Sequence, residues 1–315
     1  MKPVIRDRPD VPIAVSPADT DVPEGSATSA TGLPASGQRP DAVAECRSVS
    51  LAAVNGSHRI QILRQVDFSI ADGEFVCILG PSGCGKSTIL NAISGVRLPG
   101  PLNGEILLKG KPRRPYDSDV AYMVQHDTLL PWRTTRQNVQ LAADLRKVTV
   151  DVDHLLASVG LSEFADFFPA QLSGGMRKRA QLARVLAQHP RLLLMDEPFG
   201  ALDFQTRNDI YEVFLDRWLE FKCGVAFVTH DLTEAITLAD RILVMSRRPA
   251  TIVKEFTVDL PRPRRQRELI KRDDYRDLHE ALWEALSGVE ADQPSAPSDL
   301  HEPDRAEQGR KEQLT

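Results

Sequence analysis

Phe75-Val76-Cys77-Ile78-Leu79 runs directly into Gly80-Pro81-Ser82-Gly83-Cys84-Gly85-Lys86-Ser87, and this junction decides the fold. Five apolar residues in succession suit a strand buried on both faces of a parallel sheet. The next eight match the spacing G-x-x-x-x-G-K-[ST]. A helical pattern follows from Ser87 to Gly95. Strand, glycine-rich turn and helix in that order make a phosphate cradle. Glycines let backbone N–H groups close on anionic oxygens, and the helix aims its positive end at the same anion. Lys86 adds a point charge for β- and γ-phosphates, Ser87 a hydroxyl for Mg2+, and Thr88 follows on the same helix start. Cys84 reads as a small filler, because a reactive thiol needs exposure and a lowered pKa.

Outward from the junction the pattern repeats. Val66 to Ile70 alternates apolar and polar residues, as a half-buried strand does. Leu192 to Met195, Val225 to Thr229 and Ile242 to Met245 are further short apolar runs. Helical segments separate them at about Arg177–Gln188, Arg207–Phe221 and Leu232–Ala239. Strands alternating with helices specify an α/β fold with a mostly parallel sheet, whose ligands bind at the carboxyl ends of the strands. One such end carries Asp196-Glu197. An aspartate there can hold Mg2+ through water, and Glu197 can polarise the water that attacks a γ-phosphate.

Composition bounds the rest. The chain has 315 residues, 42% hydrophobic and 26% charged, with net charge -5. That balance excludes the strongly basic face of a nucleic-acid binder, and no apolar run reaches the roughly 18 residues that span a bilayer. No signal peptide is visible among Lys2, Arg6, Asp7, Arg8 and Asp10. Cys46, Cys77, Cys84 and Cys223 show no metal spacing and are expected as free thiols in a reducing compartment. Residues 1–42 and 288–315 are rich in polar and small residues and nearly lack aromatics, so they read as disordered tails. Residues 266–287 read as a helical extension, with Leu278, Leu282, Trp283 and Leu286 on one face packing onto the domain. The basic run Arg262 to Arg272 reads as a solvated face.

With these pieces together, residues 43–265 resemble the ABC ATPase family. The deciding stretch is Leu172-Ser173-Gly174-Gly175-Met176, similar to the family's LSGGQ signature. It is a second glycine-rich helix start suited to an anion. The resemblance implies a P-loop NTPase core, an antiparallel β part and a helical subdomain inserted at about 126–185. It also implies two copies sandwiching two ATP, with Ser173, Gly174 and Gly175 facing the partner's nucleotide. By the same resemblance Gln125 senses Mg2+ and the attacking water, and begins the segment that meets a membrane subunit. Ala201-Leu202-Asp203 crosses the dimer interface, and His230 contacts the γ-phosphate. The family's adenine-stacking aromatic falls near Ala53, and no aromatic occurs from Val49 to Val66. His58 and Arg59 are the candidate substitutes.

Leu129-Leu130-Pro131-Trp132, the methionine form of the signature, Ser246-Arg247-Arg248-Pro249 and Asp259 to Arg264 resemble the nitrate/sulfonate/taurine importer branch. That branch implies a peripheral subunit on the cytoplasmic face of the membrane. Its partners are permease subunits and, through them, an extracytoplasmic solute-binding protein. The competing reading is a soluble ABC-type ATPase. DNA-repair members insert long coiled coils or zinc modules, and only 87 positions separate Lys86 from Ser173. Ribosome-acting members carry two ATPase domains. A non-hydrolysing module conflicts with the joint presence of Lys86, Asp196, Glu197 and His230, and exporters are commonly fused to a membrane domain.

Overall fold

The computed structural model describes residues 5–7, 41–55, 58–200 and 202–291. Its strands are β1 (Ile5–Asp7), β2 (Ala42–Asn55), β3 (His58–Ala71), β4 (Phe75–Leu79), β5 (Leu102–Leu108), β6 (Lys111–Pro112), β7 (Val120–Met123), β8 (Leu192–Asp196), β9 (Gly224–Val228), β10 (Arg241–Met245) and β11 (Ile252–Thr257). Its helices are α1 (Lys86–Ser94), α2 (Thr135–Arg146), α3 (Val152–Ser158), α4 (Gly174–Leu186), α5 (Phe204–Phe221), α6 (Leu232–Leu238), α7 (Gln266–Leu269) and α8 (Asp273–Ala291).

Seven strands form one sheet in the order β1-β11-β10-β4-β9-β8-β7, and β3-β2-β5-β6 form a second, antiparallel sheet. From β10 to β7 every pairing in the large sheet is parallel. Strands β10, β4, β9 and β8 are buried on both faces, which is why they read as apolar runs. Along β4 the side chains alternate between two cores. Phe75, Cys77 and Leu79 join the core under the α-helical layer, whereas Val76 and Ile78 join the core shared with α1 and the antiparallel sheet. Phe75 sits edge-on to Trp218 and Phe214 of α5, at 5.3 and 5.8 Å between ring centroids.

Helices α2, α3 and α4 branch off after β7. Thr134 starts α2 with a reciprocal capping box, its hydroxyl accepting from the Gln137 N–H. Asn138, fully buried on α2, fixes the preceding loop. Its Oδ1 accepts from the Leu130 N–H at 2.7 Å, and its Nδ2 donates to the carbonyls of Leu130, Arg133 and Thr134 at 3.0–3.2 Å.

Several expectations need correction. Residues 1–42 are not wholly without structure. Ile5–Asp7 pairs antiparallel with β11, because an edge strand offers unpaired backbone groups to any extended segment, whatever its composition. Strand β2 begins at Ala42, and α8 continues to Ala291, past Gly288. On α8, Leu278 and Leu282 are buried as expected, but Trp283 is 62% exposed and Tyr275 takes the buried place.

The basic run is not a uniform solvated face. Arg264 is buried, and its guanidinium donates to the carbonyls of Ile236, Ala239, Val258 and Leu260. Arg262 lies 4.7 Å over the Trp218 ring and pairs with Asp240 at 2.7 Å. All four cysteines are free thiols and buried, and burial pushes the Cys84 thiol up. The remaining residues of both tails, Gly56, Ser57 and Ala201 lie outside the described residues.

Candidate functional site

Register brings four of the singled-out segments to one edge of the large sheet. In β7 and β8, Met123 stands opposite Met195, so Gln125 and Glu197 each lie two residues past a matched pair. In β8 and β9, Asp196 stands opposite Val228, two residues before His230. In β9 and β4, Val228 stands opposite Ile78, two residues before Gly80. The neighbouring strands β4, β9, β8 and β7 thus end together in the phosphate loop, His230, Asp196-Glu197 and Gln125.

The loop's glycines are required by its path. Gly85 adopts φ 129°, and a side chain there would press on Leu63 and Ile62 of β3 at 3.0–3.1 Å. At Gly80 a Cβ would come within 2.9 Å of the Met245 carbonyl oxygen. No side chain caps the α1 N-terminus at Gly85, so its first N–H groups face outward as anion donors. Lys86 is buried, and its ammonium donates to the carbonyls of Gly80 and Pro81 at 2.8 and 3.0 Å. That holds the charge at the loop mouth. Pro81, Ser82 and Gly83 form the loop's outer turn, Cys84 lies buried beneath it, and Thr88 is half-buried on α1.

Ser87 Oγ donates to Asp196 Oδ1 at 3.0 Å. Burial raises the Asp196 carboxyl, the Ser87 bond and the Lys86 charge work against that rise, and the Glu197 charge adds to it. A hydroxyl and a carboxylate at this spacing are hard oxygen donors of the kind Mg2+ takes, alongside phosphate oxygens and retained waters. Among the described residues no group of three His, Cys, Asp or Glu side chains could hold an ion as a closed cage. Glu197 occupies the left-handed region at φ 40°, a conformation that costs a non-glycine residue of order 1–3 kcal/mol. Its Oε2 lies 3.3 Å from His230 Nδ1.

The signature stretch is placed elsewhere. Ser173 caps α4, its hydroxyl accepting from the Met176 N–H at 3.3 Å. Ser173 and Gly174 are exposed, and no atom lies within 4 Å of a Cβ built at Gly174. Gly175 abuts the start of α5, where a Cβ would meet Thr206 at 2.6 Å. Asp203 caps that helix through the Thr206 N–H at 3.0 Å, a bond that lowers its carboxyl. Ser173, Gly174 and Asp203 are thus exposed, and Gly175 brings the start of α4 against the start of α5 beside Asp203.

The sequence model for ABC transporters matches residues 63–200. The chain is 40% identical over 244 residues to the nitrate import ATP-binding protein NrtD of Synechocystis sp., covering 74% of this chain and 91% of that one. The chain belongs to the ABC transporter family. It is also 40% identical over 226 residues to the bicarbonate transport ATP-binding protein CmpD of Synechococcus elongatus, covering 69% of this chain and 80% of that one. Among solved structures it is similar to the ATP-binding cassette MJ0796 in a dimeric post-hydrolysis state with ADP and Pi. There the TM-score is 0.61 at 29% identity, over 69% of this chain and all of the other. The protein is accordingly an ATP-binding, ATP-hydrolysing subunit of the ABC type. No helix among its described residues is long and apolar enough to cross a membrane.

Sequence reading missed Glu234. This residue of α6 is buried, and one of its partners, Thr229, directly precedes His230. Tyr211 donates to its Oε1 at 2.5 Å, and the Thr229 hydroxyl donates to its Oε2. Burial raises its carboxyl from 4.5 to about 7, with the Asp231 charge adding and the two hydroxyl bonds and Arg207 opposing. Between those values the folded chain keeps a proton that the unfolded chain releases, so stability falls as pH rises through the window and levels off above it. Glu234→Gln lacks this titration. Its Tm should therefore gain on the parent between pH 5 and pH 8, by an amount reflecting on the order of 3 kcal/mol at full ionisation. A constant Tm difference across that range would show that Glu234 does not titrate there.

Proposed function

We propose that this chain powers an importer of a small anionic or organic solute. It acts as a homodimer with Mg-ATP, peripheral to the cytoplasmic face of the membrane, on permease subunits fed by an extracytoplasmic solute-binding protein. The observation that carries this reading is the 40% identity to ATP-binding proteins named for nitrate import and bicarbonate transport, both small oxyanions. The surface is consistent with it. Trp132, 70% exposed, stands on the loop pinned by Asn138. Thr135 donates through its N–H and its hydroxyl to the carbonyl of Phe167, and Phe167 and Phe168 are both exposed. Exposed aromatic side chains on the loop that follows Gln125 and on the segment bonded to Thr135 suit docking of a permease loop.

In this reading Lys86, Ser87 and loop N–H groups of one copy hold ATP, and Ser173, Gly174 and Gly175 of the other complete the site. Asp203 crosses between the copies. Mg2+ held by Ser87, Asp196 and Gln125 supplies positive charge against the phosphate oxygens. Glu197 accepts a proton from water as the water oxygen bonds the γ-phosphorus. The bond from that phosphorus to the β–γ bridging oxygen breaks, and ADP leaves with its electron pair. His230 hydrogen-bonds the γ-phosphate. Closing moves the docked permease, and hydrolysis reopens the pair.

Affinity purification of the chain from detergent extracts of its native cells tests the coupling. Recovery of a membrane complex whose ATP hydrolysis responds to nitrate, bicarbonate or taurine on the binding protein is the expected result. Full-rate hydrolysis with no membrane partner recovered would favour the soluble ATPase instead.

Base selectivity should be weak. Ala53 pairs with Ile60 across the β2–β3 hairpin, where Val54 and Ile60 are exposed aliphatics. Arg59 is exposed, and the His58 side chain lies outside the described residues. An aromatic stack is worth about 1 kcal/mol, so kcat/KM for ATP and GTP should agree within about fivefold. A preference above about fiftyfold would mean that another group reads the base.

A further inference from the structure

Strand β7 carries one polar group among its apolar side chains, the Tyr122 hydroxyl, and register sets it beside the Asp196 carboxylate. Val120 and Tyr122 face the core that α1 shares with the antiparallel sheet, whereas Ala121 and Met123 face the other core. On β8 the first face is taken by Leu192 and Leu194, and Asp196 continues it at the strand's end. Val120 stands opposite Leu192, and Tyr122 opposite Leu194. Asp196 is thus one diagonal step from Tyr122. That step runs about 6.6 Å along a parallel strand, within reach of an aromatic side chain.

The phenol meets the carboxylate. The Tyr122 hydroxyl hydrogen-bonds Asp196, and burial, with the Asp196 charge and that bond adding to it, raises the phenol's pKa. The hydroxyl therefore keeps its proton and donates it. Asp196 receives a second hydroxyl from Ser87 of α1, at 3.0 Å on Oδ1. Burial raises the Asp196 carboxyl, and both bonds oppose that rise. Packing alone does not ask for the phenol oxygen. A phenyl ring would fill the same space, and a hydroxyl in apolar surroundings is unfavourable unless it is bonded. A carboxylate that ligates a metal binds better when neighbouring groups already aim it, because less freedom is lost on binding.

We propose that Tyr122 is a positioning residue for the nucleotide-bound Mg2+: its hydroxyl, with that of Ser87, fixes the Asp196 carboxylate and so sets how tightly the cation is held. This rests on the Mg2+ site assigned above to Ser87, Asp196 and Gln125. The stretch from Tyr122 to Gln125 then serves the cation twice, once by aiming a ligand and once by supplying one.

The test is Mn2+ binding to the full chain with ADP, read from the electron paramagnetic resonance of the free ion. The chains compared are the parent, Tyr122→Phe, Asp196→Asn and the pair. Tyr122→Phe should raise the Mn2+ dissociation constant about ten- to a hundredfold, while ADP affinity in EDTA and Tm change little. The Mg2+ concentration that half-activates ATP hydrolysis should rise by the same factor, with kcat at saturating Mg2+ near the parental value. Asp196→Asn should weaken Mn2+ binding at least as much. Adding Tyr122→Phe to it should cost less than about threefold more, because the hydroxyl acts through the carboxylate. A change in Tyr122→Phe below about threefold, or a full further loss in the pair, would overturn the proposal. So would Mn2+ affinity, metal-free ADP affinity and Tm falling together, since the hydroxyl would then serve the fold alone. Parental Mn2+ affinity in Asp196→Asn would overturn the metal site itself, whereas loss in Asp196→Asn with none in Tyr122→Phe removes Tyr122 only.

Discussion

Glu197→Gln should lower ATP hydrolysis by roughly a hundred- to ten-thousandfold, the range lost when a general base is removed, while ATP binding survives. The amide has the size of the carboxylate and can still meet His230, which lies 3.3 Å from Glu197 Oε2, but it cannot take a proton from water. Nothing in the phosphate loop changes, since Lys86 is held by the Gly80 and Pro81 carbonyls and Ser87 by Asp196. A chain that binds ATP and cannot hydrolyse it should accumulate as a closed pair. Gel filtration of the variant in Mg-ATP should therefore show a dimer that the parent shows only in passing. Parental hydrolysis in the variant would remove Glu197 as the base. A monomer in ATP with hydrolysis lost would keep the base and count against the sandwich.

Arg264→Ala should be the most damaging substitution outside the nucleotide site. One guanidinium serves carbonyls from the end of α6, from Val258 and from Leu260, and its burial lowers its pKa to about 10. Removing it strands several buried acceptors at about 1–3 kcal/mol each, offset in part because a desolvated charge disappears. A net loss of about 3 kcal/mol is expected, which lowers Tm by roughly 6–12 °C in a chain of this size. Arg264→Lys should recover little, because a single ammonium cannot fork to four acceptors. Thermal unfolding decides the matter: a Tm within about 2 °C of the parent would mean that the carbonyls find water.

These two sites differ in how far the sequence revealed them. Leu79-Gly80 and Met195-Asp196 are legible because buried strands leave unbroken apolar runs and the ligand-binding turn must begin where the run stops. The alignment of Gln125 with Glu197 needs only the parallel register of β7 and β8. Arg264 was hidden because a basic run has the same composition whether its guanidinium groups face water or carbonyls, and only the path of the α6–β11 region separates the cases. Trp283 failed on helical phase. It stands about 100° round the helix from Leu282, off the stripe in which Tyr275, Leu278 and Leu282 are buried and which Leu286 and Val289 continue against the core. Glu234 carries no local pattern, since its partners Thr229 and Tyr211 lie 5 and 23 residues away in sequence.

The four hydrogen bonds from Asn138 hold the backbone of Leu130 to Thr134 from below. Shape and chemistry are therefore separable at this spot. The loop's outline is held by buried Asn138, whereas the side chains of Pro131 and Trp132 stand exposed on its outer side. A lineage can change what the loop presents by point substitution, without relearning how to fold it. The same scaffold could thus be refitted to a different membrane component by exchanging a few outward side chains, provided Asn138 stays.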